Sequence, residues 1–380
     1  MSDTQTSAKA AADTIAQNKA TLLSFQREVF NGHDWRVETL AKYMTPDFVD
    51  HSTGADAEPG LEGIARRFSA WQAAFGDAHK ENIAVLGEGD LVAVLYEIRA
   101  RHTGEFMGIK PSGKNVVIPG IEILRFQDGK ISDYWSIYDY LNTAAEIGAR
   151  LTMVPKDHDD GAGQYPVQDV YQGVVHRERK KHNVFINLGG PHTNIVEKNK
   201  AALLGFQKEV FNGHDWRVET LAKHLTLDFV DHATGPWDEK GLKGVSERFS
   251  AWQGAFDDAE EDNIAMVGED DMLAVLYDLH AEHRGEFLGI PASNNHVVIP
   301  GIELLRFRGD KIAEHWGIYD FVSTAEQIGA RLVLTPGTPH YRQPPLDSDA
   351  VEQAQEAQEG QVGPPSEADK EVLGQAWSAQ

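Results

Sequence analysis

Apolar side chains recur at helical spacing at Leu22, Leu23, Phe25, Val29 and Phe30, and the run stops at Asn31-Gly32, a helix-terminating pair. This spacing predicts a helix. A short helix is predicted from Trp35 to about Tyr43, then Pro46 and a strand over Phe48-Val49-Asp50-His51, then a helix from about Leu61 to Phe75. Segments near 80–88, 91–106, 114–126 and 130–139 are rich in Val, Ile, Leu and Tyr and read as strands. Gly87 to Asp90 and Asp128-Gly129 supply the hairpin signals between them. A last helix is expected over roughly 143–151. Helices first and an antiparallel meander afterwards predict an α+β fold, with the helices packed on one face of a strongly curved, mostly antiparallel sheet.

The whole pattern occurs twice. LLSFQREVFNGHDWRVETLAKYMTPDFVDH (22–51) returns as LLGFQKEVFNGHDWRVETLAKHLTLDFVDH (203–232), at a constant offset of 181 residues. The offset carries Trp71 to Trp252, His102 to His283, Trp135 to Trp316 and Asp139 to Asp320 without an insertion or deletion. Units of this length are full domains, unlike the short units that stack into solenoids. The boundaries expected are a flexible N-terminus over 1–17, a first domain over 18–155, a linker over 156–195, a second domain over 196–337 and a disordered acidic tail over 338–380. Each domain should own a core.

Composition narrows the partners. The 380 residues carry a formal charge of −24, which repels phosphate backbones and anionic headgroups, so neither nucleic acid nor a membrane surface is an expected partner. The chain has no cysteine, which excludes disulfides, thiolate nucleophiles and thiolate metal sites. The polar first twenty residues lack an apolar signal core, and no run approaches the length of a membrane span, so a cytoplasmic location is the expectation. GxGxxG is absent, as are H-E-x-x-H and comparable ligand sets, so no cofactor and no metal are expected.

The order VFNGHDW, FVDH, a helix with Trp71 and AFGD, RHTGEFMGIKPSGK, then GIEILRFQDGKISDYWSIYD resembles the SnoaL-like polyketide cyclase family over about 18–151 and again over 199–332. The resemblance implies two tandem cone-shaped α+β barrels of the nuclear transport factor two type. It also implies cofactor-free chemistry in which a pocket aspartate serves as general acid and base for an intramolecular aldol step. Relatives on this fold also hydrate, dehydrate, isomerise or cleave.

Asp139 and Asp320 correspond to the family aspartate. Alternation along the strand puts Trp135, Ile137 and Asp139 on one face, so the acid is expected to look into an apolar chamber, where burial would raise its proton affinity. The alternative is a helix N-cap, although Thr143-x-x-Glu146 and Thr324-x-x-Gln327 offer capping boxes of their own. His51, His232, His102 and His283 are further catalytic candidates, able to hydrogen-bond an enolate oxygen or shuttle a proton; equally, each could satisfy backbone groups at a strand end. Some characterised cyclases have a histidine two positions before the aspartate, where this chain has Ile137 and Ile318.

Substrate contacts are expected from Glu122 and Glu303, acids inside otherwise apolar strands, which could instead pair with an arginine such as Arg99. Trp135, Trp316, Tyr138, Tyr319, Trp71 and Trp252 are candidates for stacking on a substrate or for the core. With these residues present in both copies, two working sites are expected. The leading function is a cofactor-independent enzyme that makes or breaks a carbon–carbon bond, aldol or retro-aldol, through an enolate on a hydrophobic aromatic or polyketide-like carbonyl compound. A hydratase, dehydratase or isomerase, or a non-catalytic binding or assembly module, are the alternatives. The fused copies should form an internal pseudo-dimer, and chains could pair further.

Overall fold

The computed structural model describes residues 3–52, 58–156, 194–233 and 240–336. Most of the expected linker and the whole acidic tail therefore lie outside the described residues. The described residues all fall within one compact unit.

Within it, each half opens on a helix, α1 (Asp3–Phe25) and, in the second half, α5 (Asn194–Phe206). Helix α1 starts well before Leu22, inside the stretch expected to lead into the fold. A π-helical turn follows each, at Gln26–Phe30 and Gln207–Phe211, and Asn31 and Asn212 close it, as the Asn-Gly signal predicts. Then come α2 (Val37–Tyr43), β1 (Met44–Asp50), α3 (Gly60–Ala74), β2 (Phe75–Glu88), β3 (Leu91–His102), β4 (Asn115–Gln127), β5 (Lys130–Tyr138), α4 (Tyr140–Ile147) and β6 (Ala149–Pro155). The second half repeats them as α6 (Val218–His224), β7 (Leu225–Asp231), α7 (Gly241–Ala255), β8 (Phe256–Glu269), β9 (Met272–His283), β10 (His296–Arg308), β11 (Lys311–Tyr319), α8 (Phe321–Gln327) and β12 (Ala330–Pro336).

Each half builds a five-stranded sheet, ordered β1-β5-β4-β3-β2 and β7-β11-β10-β9-β8. The meander is antiparallel as predicted, but β1 joins β5 in parallel, so the sheets are mixed. The predicted last helix stops earlier than expected. Gly148, at φ +83°, ends α4, and the chain turns into β6, a strand missing from the sequence reading. Strand β6 pairs antiparallel with β12 of the other half, from Ala149 opposite Pro336 to Pro155 opposite Ala330.

Strand alternation sorts two cores. Val92, Val94, Tyr96, Val116, Ile118 and Leu124 point toward the helices and pack with Leu22, Val29, Phe30 and Ile64. Leu91, Ala93, Leu95, Ile121 and Ile123 point the other way and pack against Ile264, Val267, Ala274, Leu276, Ile302 and Leu304 of the second half. Each Leu, Ile or Val removed from water here contributes roughly 1.5–3 kcal/mol, and each alanine methyl about 0.8 kcal/mol. This apolar seam outweighs the ion pairs that flank it.

Those pairs are reciprocal. Lys200 pairs with Glu88 at 2.5 Å, both side chains 5% exposed or less, and the Gly268 amide donates to Glu88 at 2.7 Å. In the mirror arrangement Lys19 pairs with Glu269, and the Gly87 amide donates to Glu269 at 2.8 Å. The same patch on each half thus meets itself, the mark of a two-fold interface.

Candidate active site

The end of β5 and the start of α4 carry the first candidate. Strand β5 ends at Tyr138, and Asp139 is the N-cap of α4, its carboxylate accepting from the Asn142 amide at 2.9 Å. Asp320 caps α8 the same way, accepting from the Val322 and Ser323 amides at 3.0 Å each. The predicted capping box does not form here. The Thr143 and Thr324 hydroxyls instead donate back to the Asp139 and Asp320 carbonyls at 2.7 Å, which leaves the aspartates to satisfy the helix amides.

Both carboxyls are nonetheless short of water. Burial pushes Asp139 above the ordinary range against the pull of the Asn142 and Leu141 amides, and pushes Asp320 up to about 6. The shared face drawn for Trp135, Ile137 and Asp139 needs correcting. Trp135 and Ile137 face the seam, while Tyr134 and Ser136 face the helices, and Asp139 falls one residue past the strand, where alternation no longer applies.

A cleft opens between the halves. His51, Trp135 and Tyr138 line it from the first half, and Asp278, Tyr319 and Asp320 from the second. The His51 ring stacks on Trp135 at 4.4 Å, 3° from parallel, and its Nε2 hydrogen-bonds Asp133 at 2.8 Å. His232 repeats this on Trp316 at 4.4 Å, with Glu314 as its partner at 3.0 Å. Arg125 and Arg306 sit 5.5 Å from the tryptophan rings. Tyr138 packs on Tyr140 at 4.3 Å and Tyr319 on Phe321 at 4.7 Å, so the walls are largely aromatic. The cleft thus gathers candidates from opposite halves, not from one copy.

Other candidates lie elsewhere. His102 and His283 are fully buried, and the Ser112 and Ser293 amides donate to their Nδ1 atoms at 3.2 and 3.1 Å. That fixes the proton on Nε2, which in His283 finds no hydrogen-bond partner among the described residues. Burial lowers the proton affinity of both rings. Trp71 and Trp252 pack on Phe75 and Phe256, at 4.8 and 4.6 Å, in the core between helices and sheet.

Glu122 and Glu303 face the helices. Glu122 pairs with Lys80 at 2.5 Å, not with Arg99, which pairs with Glu97 and Glu81. The Tyr134 hydroxyl donates to Glu122 at 2.9 Å, and the Lys80 ammonium lies 3.8 Å from the centre of the Tyr96 ring. Glu303 has a different neighbour, His315, whose Nε2 is 3.3 Å away and whose Nδ1 reaches Asp231 at 3.0 Å. Lys80, Glu261, His315 and Asp231 were missed from the sequence. Overlaying the halves at the 181-residue offset would have found the first three, since Lys80 becomes Glu261 and Tyr134 becomes His315 within otherwise matching strands.

The sequence profile of the SnoaL-like polyketide cyclases matches residues 20–147 and again 201–328, about two thirds of the chain, and this protein belongs to that family, in two tandem copies. It is similar to the aklanonic acid methyl ester cyclase DauD of Streptomyces sp. (strain C5), with 29% identity over 110 residues, 29% of this chain and 66% of that protein. The nogalonic acid methyl ester cyclase of Streptomyces nogalater is 25% identical over 118 residues, 30% of this chain and 86% of that one. Among solved structures, IdmH from Streptomyces antibioticus is 31% identical, with TM-score 0.32, over 35% of this chain and 99% of that one. AclR from Streptomyces galilaeus is 29% identical, with TM-score 0.31, over 35% and 82%. Among the described residues no helix is long and apolar enough to cross a membrane.

Proposed function

We propose that this protein is a cofactor-independent acid–base enzyme that makes or breaks a carbon–carbon bond, by an aldol or retro-aldol step, through an enolate on a hydrophobic, polyketide-like carbonyl compound. The observation that carries the reading is Asp320, a half-buried carboxyl with its proton affinity raised to about 6, in the wall of an aromatic cleft. A carboxylate so placed is ionised at neutral pH yet basic enough to take a proton from the carbon beside a carbonyl. His51 and the Tyr138 and Tyr319 hydroxyls supply groups able to hydrogen-bond the enolate oxygen. The protonated aspartate then returns its proton to the alkoxide formed when the enolate attacks a second carbonyl. Run backwards, the same steps cleave. The family, and relatives named for closing methyl esters of aklanonic and nogalonic acid, support a polyketide ester as the substrate class.

The test is turnover of aklanonic acid methyl ester, and exchange of its carbon-bound protons in heavy water, by Asp320→Asn, Asp139→Asn and the double variant. Asparagine caps a helix as well as aspartate does, so the fold is preserved while the base is removed. Loss of a general base typically costs on the order of 10²–10⁴ in rate. A double variant that works at the wild-type rate sinks the proposal. The capping hydrogen bonds favour one second reading, a binding module in which both aspartates only hold helices. Tight binding without turnover by the wild type would identify it.

A further inference from the structure

The two interiors differ at positions that act together. In the first half Lys80 and Glu122 neutralise each other, with side chains 7% and 3% exposed, and Tyr134 donates to the same carboxylate. Burial lowers the proton affinity of Lys80, and the Glu122 charge opposes that shift. Each Glu122 oxygen thus has a donor, its charge is neutralised, and its 3% exposure leaves no open approach for a ligand. Ser136, within 3.3 Å of the Tyr96 hydroxyl, completes the filling.

In the second half all three partners change. Glu261 replaces Lys80, His315 replaces Tyr134 and Gly317 replaces Ser136. The glycine is what admits the imidazole, since a Cβ there would stand 2.6 Å from His315 Nε2. Glu303 remains 14% exposed where Glu122 is 3% exposed, so solvent reaches a carboxylate that is sealed in the first half. Glu261 accepts from the Gln207 amide at 2.6 Å, and Arg248 pairs with Asp231 at 2.6 Å behind His315.

We propose that the second half alone carries, in its helix-covered interior, a proton-transfer site built from Glu261, Glu303 and His315, and that the equivalent place in the first half is a structural ion pair. The site would enolise a carbonyl compound. Glu303 takes the proton from the carbon beside the carbonyl while Glu261 gives its own to the carbonyl oxygen. One C–H bond breaks, one O–H bond forms on the substrate, and the proton passes from one carboxyl to the other with no change in their joint charge. Burial, then the charge of Glu303, holds Glu261 well above the usual carboxylate range, so it starts as the acid. Burial opposes the charge on His315, but Asp231 and Glu303 outweigh it and push the imidazole up to about 10, which keeps a cation beside Glu303. Arg248 on α7, Asp231 on β7, Tyr277 on β9 and Tyr319 on β11 are the further ionisable groups around the site. The proposal rests on the acid–base reading above only for the class of substrate.

The test converts the second half into the first, using residues that half already tolerates: Glu261→Lys with His315→Tyr and Gly317→Ser in the full chain. Dicyclohexylcarbodiimide, which adds across a protonated carboxyl in an apolar site and traps it as an acylurea, is mapped by mass spectrometry. Deuterium exchange into 4-phenylbutan-2-one is followed by NMR. The expected result is labelling of Glu261 or Glu303 but not Glu122, faster at pH 6 than at pH 9, reduced at least tenfold in the triple variant, with exchange falling about a hundredfold. Equal or absent labelling in the two halves overturns the proposal, as does a triple variant with undiminished exchange. If that variant keeps its rate and Asp320→Asn loses it, only this proposal fails. A wild type that catalyses no exchange removes both.

Discussion

Asp320 ties one side chain to three properties. Its two capping bonds hold α8, its position lines the cleft, and burial lifts its proton affinity to about 6 from a reference of 3.8. Between those values the unfolded chain gives up a proton that the native state keeps, so stability falls as pH rises from about 4 to 6, by roughly 3 kcal/mol in all. Asp320→Asn should flatten that part of a denaturation-versus-pH curve, measured with urea. If the same carboxylate is the base, kcat/KM climbs with pH through about 6 in the wild type and loses that limb in the variant. His315 bends the curve in the same direction at higher pH. With its affinity raised to about 10, its stabilisation is complete below its unfolded value near 6.5 and disappears as pH climbs through 10, and His315→Tyr should remove that loss. Glu303 was legible as an acid in an apolar strand, whereas Lys80 and Glu261 were not. They sit between two irregularities in the β2–β3 and β8–β9 pairings that break the period of two, and their polar neighbours disguise them as a solvated edge.

At the level of elements, alternation and turn chemistry gave the meander, its hairpins and the helix-first order, because each is a local property of the chain. Strand β6 was illegible because its partner lies in the other half and its residues, ARLTMVP, read as a continuation of the helix before it. The capping assignment failed for a related reason. Thr143 and Asp139 compete for one role, and the sequence does not say which backbone group each side chain reaches. Replacing the cap should expose the difference. Asp139→Ala is expected to cost about 1 kcal/mol in thermal or urea unfolding, Asp139→Asn only a few tenths, and Thr143→Val to leave the Asn142 amide capped. Equal losses for alanine and asparagine would show that the charge, not the cap, stabilises α4.

For the whole molecule, the seam sets the terms. A first half produced alone would expose Leu91, Ala93, Leu95, Ile121 and Ile123 together, a patch that soluble monomers rarely carry, so residues 1–156 should run as a dimer on size exclusion. A stable monomer would contradict the seam. The buried Glu88–Lys200 pair offers a second check. Glu88→Gln should cost up to about 3 kcal/mol by leaving the buried Lys200 only its longer 3.7 Å contact with Glu197, while Glu88→Leu with Lys200→Leu should recover most of it. The duplication and its constant offset were plain in the sequence. The pairing of the copies was expected too, but not the residues of the seam, because those that fill it look like the ordinary inward positions of a sheet with one covered face.

The ribbon of β6 and β12 has one further implication. Each strand finds its partner only in the opposite copy, and the pairing reads the same with the copies exchanged. A β12 arriving from a neighbouring molecule would fit the first copy as well as the resident one. Covalent attachment favours the resident, at an effective concentration on the order of millimolar. Crowded to that level, the protein should begin to trade partners and string into open chains.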